Sequence, residues 1–178
     1  QRELDNLVCY PDMVKERDRW AKAWKQEPKN LKKNLYHLIL ALITYIPPLR
    51  KNYHDIEIYR DKKSPPKNTK QNYLWEKHIG QWTIVINHDK VENKREAQNK
   101  SRSEFDLLDE IPGVTNGKKL NDIINQSLAM HPRDYLLVGV KNGSGPMGAT
   151  SFDQALKAMF DPKGPATNLI RKAYINHW

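Results

Sequence analysis

Between residues 12 and 26, Met13, Val14, Arg17, Trp20, Ala21 and Trp24 recur at three- and four-residue spacing. That spacing lines one face of an α-helix. Pro11 suits its start and Pro28 ends it. A second helix is predicted from about Leu31 to Tyr45, where Leu35, Leu38, Ile39, Leu42 and Ile43 make an apolar face broad enough for a buried helix. Pro47-Pro48 stops it.

The period then changes. Ile56 and Ile58 alternate with polar neighbours, which predicts a strand over 53–59. Tyr73 to Trp75 and Trp82 to Asn87 predict a β-hairpin around Gly80; the run Trp82-Thr83-Ile84-Val85-Ile86 is strand-like because it is rich in β-branched side chains. Residues 61–71 read as an exposed basic loop, and 90–104 as a charged segment without apolar period. Leu107 to Ile111 is a candidate short strand, and Tyr135 to Val140 a further apolar run. Leu120, Ile123, Ile124 and Leu128 predict a helix over 117–130. A glycine-rich turn at 141–149 leads to a helix capped by Thr150 or Ser151, and a last helix begins near Ala166. Helices, then a small sheet, then helices is an α+β order: a mostly helical domain with a small antiparallel β-sheet. Residues 1–29 read as a helical lead-in and 30–178 as the principal domain. Gln1 at the start and a helical pattern running to Trp178 are what a fragment or processed product would show.

Composition narrows the classes. The 178 residues include 30 Lys and Arg against 21 Asp and Glu, a formal net charge of +9. A basic domain of this size favours a polyanion, because each phosphate contact releases condensed counterions. An anionic membrane surface, an acidic protein partner or plain solubility explains the charge as well. The single Cys9 excludes an intrachain disulfide and a zinc site built on thiolates, and agrees with a reducing compartment. The apolar run Leu38 to Pro48 is about half of the roughly 20 residues a membrane span needs. His37, His54, His78, His88, His131 and His177 show no metalloenzyme pairing, and Gly143-Ser144-Gly145 lacks the Lys-Ser/Thr ending of a phosphate loop.

Three places remain that suit phosphate chemistry. Arg50 follows the buried helix and the Pro-Pro break, so a guanidinium able to grip two oxygens stands at a rigid place. Lys90 is placed at the tip of the hairpin, in Asn87-His88-Asp89-Lys90, where a lysine can protonate a leaving oxygen; Lys94, Arg95 and Lys100 compete with it. Asn168 and Arg171, three apart on a helix, face the same way, with Lys172 beside them. Each alone reads equally as surface charge.

Their order resembles the catalytic domain of the tyrosine recombinases (phage-type integrases), in versions found in viruses and mobile elements. Leu42 to Arg50 is similar to that family's first arginine box, Trp82 to Lys90 to its lysine hairpin, and Asn168 to Lys172, followed by Ala173-Tyr174-Ile175, to its second arginine box. The likeness runs from about residue 30 to 178. It implies that Arg50 and Arg171 clamp a scissile phosphate and that Lys90 is the general acid for the 5′-oxygen. A tyrosine forms a covalent 3′-phosphotyrosine without any metal or other cofactor. Two departures stand out. Asn168 occupies the family's histidine position, where an amide can hydrogen-bond phosphate but not move a proton. The nucleophile is expected a few tens of residues past Arg171, beyond Trp178, and Tyr174 reads as a packing residue.

Two functions follow from the resemblance. The first is DNA strand cleavage and rejoining on double-stranded DNA, by a protein able to assemble as a homo-oligomer on its site. The second is an inactive relative kept as a DNA-binding or structural component of a virus particle, contacting other virion proteins. The nucleus, the cytoplasm or a virus factory suits the first, and the virion the second. A third reading is an unrelated basic protein. The DNA footprint is assigned to Lys62, Lys63, Lys67 and Lys70, and to Lys94, Arg95, Lys100 and Arg102 with Lys172. No membrane role is expected.

Overall fold

The computed structural model describes residues 10–46, 53–60, 65, 72–87, 102–109, 116–139 and 145–159. Helix α1 spans Tyr10–Gln26 and takes Pro11 into its first turn, where the missing N–H has no acceptor to lose. Trp24 Nε1 donates to Pro28 O at 3.0 Å and closes the turn that follows. Helix α2, Leu31–Thr44, is capped by Asn30, whose side chain accepts from Lys33 N. From Asn34 to Thr44 every residue of α2 is buried, so it is the central helix the apolar pattern predicts. Met13 of α1 joins the core cluster of α2, which makes the predicted lead-in helix a packed part of that core.

The sheet has four strands in the order β1-β2-β3-β4: Glu57–Tyr59, Tyr73–His78, Gln81–Asn87 and Arg102–Asp106. It is mixed, which corrects the expected antiparallel sheet. β1 runs parallel to β2, while β2–β3 and β3–β4 are antiparallel. A parallel pair needs a return connection of about a dozen residues, and the interval between Tyr59 and Tyr73 is long enough. The segment 90–104, read as loop, contributes the start of β4; after it Leu107 to Asp109 form a turn where a strand was expected. Ile58, Leu74, Trp82, Ile84 and Ile86 face the helices, while Tyr59, Tyr73 and Val85 cluster on the opposite face.

Helix α3, Gly117–Met130, and helix α4, Ala149–Met159, complete the α+β arrangement. Asn121 and Asn125 of α3 both donate to Gly80 O, at 2.8 and 3.0 Å, and their side-chain oxygens accept from Trp82 N and Trp82 Nε1. Gly80 has φ +74°, the left-handed turn conformation glycine adopts without strain. Residues 134–136 run beside β1, where Ile58 N donates to Asp134 O and Leu136 N to Ile56 O; Met147 N in turn donates to Leu137 O. No described helix is long and apolar enough to cross a membrane.

Candidate functional site

The strand directions decide where the segments carrying the candidate site residues attach. The register Glu57↔Tyr73↔Val85↔Glu104 puts the start of β1, the start of β2, the end of β3 and the start of β4 at one end of the sheet. Asn72, directly before β2, hydrogen-bonds two of the other strands there, β1 and β3. Its carbonyl accepts from Glu57 N and its side-chain oxygen accepts from Asn87 N at 2.8 Å. Asn87 is in turn opposite Arg102 in the register.

The described residues on either side of 47–52 are held by burial. Ile46 and Tyr53 are both core residues. At the near side, Tyr45 O accepts from Asn116 N at 2.7 Å, and the Arg17 guanidinium lies over the Tyr45 ring. At the far side, the Tyr53 ring stacks on Phe152 of α4, and His54 Nδ1 donates to Met147 O at 3.0 Å. A carbonyl can only accept, so that contact selects the Nδ1–H tautomer. Helix α4 is therefore seated against the residues that lead from Arg50 into β1.

Arg50, Lys90, Asn168 and Arg171 lie outside the described residues, as do Lys62, Lys63, Lys67, Lys70, Lys94, Arg95, Lys100 and Lys172. Arg102 is described as the first residue of β4. One placement is corrected. The turn between β2 and β3 is at Ile79-Gly80, so Lys90 is not at the tip of that hairpin. It falls three residues past the end of β3, in the sequence joining β3 to β4. The sequence intervals 47–52, 61–71 and 88–101 all have at least one attachment at the Asn72–Asn87–Arg102 end or at Tyr53, and together carry ten Lys and Arg against four Asp and Glu.

The opposite end of the sheet differs. There an open depression of about 130 Å³ is lined by Lys77, His78, Thr83, Asp106 and Asp109 among others. It is well below the roughly 300 Å³ at which ligand pockets begin. Its two carboxylates repel phosphate, and Thr83 Oγ1 already donates to Asp106. No group of three or more His, Cys, Asp or Glu able to hold a metal occurs among the described residues.

Sequence reading missed the parallel β1–β2 pair and the shared end it creates. The alternation Ser103, Phe105, Leu107 was the available signal for β4. No protein-family model, curated protein or solved structure matches the chain.

Proposed function

We propose that the chain cleaves and rejoins DNA strands in the manner of a tyrosine recombinase, with the phosphate bound at the Asn72–Asn87–Arg102 end of the sheet. The observation that supports this most is the strand polarity: the segments carrying the candidate acid and most of the candidate footprint attach at one end of the sheet although they are far apart in sequence, and the chain that follows Arg50 enters β1 at that end. Arg50 and Arg171 would neutralise charge on the pentacoordinate phosphorus, and Asn168 would add a hydrogen bond. A tyrosine oxygen, expected past Trp178, bonds to phosphorus as the bond to the 5′-oxygen breaks. Lys90 gives that oxygen its proton.

The test is a suicide substrate, a nicked duplex from which the cleaved fragment diffuses away, incubated with the full-length gene product. A covalent protein–DNA adduct that disappears with Arg50→Ala or Arg171→Ala is the expected result. A second reading rests on Asn168: without a proton-transferring histidine, the domain serves as an inactive DNA-binding or virion component. DNA binding without any adduct decides for it.

A further inference from the structure

The α1–α2 hairpin uses one side of α1 for packing and leaves the other charged. Met13 and Trp24 are buried, and Trp20 packs edge-on against Tyr36 of α2. Lys15 and Lys22, seven residues apart, lie on the opposite side of the helix. Lys25 and Lys29 carry the exposed charge into the turn, and Lys32 opens α2; all five lysines are exposed.

These charges are left over after local pairing. Glu16 is taken by Arg19 at 2.8 Å, Glu27 by Lys33 at 2.7 Å and Asp18 by Arg17 at 3.2 Å. The remaining acid, Asp12, is in the first turn of α1, where the helix dipole favours a negative charge. None of the five lysines has an ion-pair partner among the described residues. The first turn of α2 holds Lys32 and Lys33 and no acid, the arrangement a helix N-terminus disfavours. A polyanion beside it relieves that repulsion.

We propose that this lysine stripe is a second DNA-contacting surface, gripping the backbone of duplex flanking the cleavage site. The proposal rests on the DNA reading above. At 1.5 Å per residue, Lys15 to Lys25 spans about 15 Å of rigid helix. One DNA strand presents a phosphate every ~3.4 Å along the duplex axis, so three lysines can meet separate phosphates. A lipid surface fits less well. The apolar side chains of α1 are spent on α2, leaving no apolar face to enter a bilayer.

The experiment is an anisotropy titration of the full chain with a labelled random-sequence duplex across a salt series. Lys15→Glu/Lys22→Glu/Lys25→Glu is expected to raise Kd roughly tenfold or more and to flatten the log Kd against log salt slope by about 2–3. The neutral triple Gln variant, which preserves helix propensity, should flatten it by a similar amount, and the triple Arg variant should keep the wild-type slope. An unchanged slope in both the Glu and Gln variants, with wild-type binding intact, overturns the stripe and leaves the DNA reading standing. A flattened slope in the Arg variant overturns it too, since charge is then not the cause. Wild-type protein that ignores duplex DNA but binds phosphatidylserine vesicles overturns both.

Discussion

The rings of Tyr53 and Phe152 stack with centroids 5.6 Å apart and planes within 9°. The contact joins the residues just after Arg50 to the helix that precedes Asn168 in sequence. Both side chains are buried, so Phe152→Ala should cost about 3–5 kcal/mol, measured by urea unfolding. Phe152→Leu keeps most of the volume and should leave a folded protein. If the proposed function holds, that milder variant lowers adduct formation at unchanged general DNA affinity. A Phe152→Leu protein with full cleavage would separate the stack from the chemistry.

Gly117 opens α3 against the backbone of Leu107. A Cβ built there would meet Leu107 O at 1.9 Å, and backbone cannot swing aside as a side chain can. Helix propensity alone favours alanine over glycine by about 1 kcal/mol. The contact should reverse that sign: Gly117→Ala is expected to destabilise by about 1–3 kcal/mol. A thermal midpoint at or above wild type would show that the turn at 107–109 can shift.

The helices were legible because burial on one side leaves a periodic trace. Leu120, Ile123, Ile124 and Leu128 located α3 to the residue, and Leu35 to Ile43 identified the central helix. The sheet was less so. A strand of three residues such as β1 has almost no period, and whether it pairs parallel or antiparallel is set by partners far away in sequence. Lys90 was misplaced for that reason: Gly80 marked one hairpin, while the β3–β4 pair that brackets Lys90 depended on an inconspicuous strand at 102–106. The lysine stripe is legible at helical spacing on the side of α1 away from its apolar residues. The candidate site residues, apart from Arg102, lie outside the described residues.

His37 sits between the two N-terminal helices, 5% exposed, with its ring 5.6 Å from that of Trp24. Its buried Nδ1 has no hydrogen-bond partner among the described residues. Burial above all, then the Arg17 charge, hold its pKa down to about 4, against a smaller opposing pull from Asp18. The unfolded chain takes up the proton near pH 6.5 and the folded one only near 4, so acid favours unfolding across that window. The His37 contribution to stability is thus complete above pH 6.5 and should fall by about 3 kcal/mol on descending to pH 4. His37→Phe should flatten this part of the pH profile, measured as urea midpoints at pH 7 and pH 4.5. A profile equally steep in the variant would place the acid sensitivity in other groups.

Arg133 is half-buried, and no described carboxylate pairs with it. Its guanidinium donates instead to Leu136 O from both Nε and Nη2, to His131 O at 2.6 Å, to Ser127 O and to Ser127 Oγ. Ser127 Oγ passes the chain on, donating to Asn34 Oδ1 of α2 at 2.6 Å. The cation therefore occupies the C-terminal end of α3, where carbonyls lack intrahelical donors and the dipole is negative. Burial pulls its pKa down to about 10, which still leaves it charged at neutral pH. Arg133→Met removes every donor at once; Ser127 O keeps the His131 N–H, but Leu136 O and His131 O lose the guanidinium, an expected loss of about 2–4 kcal/mol. Arg133→Lys keeps the charge but not the planar fork, and one ammonium cannot reproduce the divergent contacts, so its loss should be intermediate. Urea unfolding of the three proteins ranks them. Equal stability of the Met and Lys variants would mean that charge contributes nothing and that hydrogen-bond geometry alone holds the α3 terminus to α2.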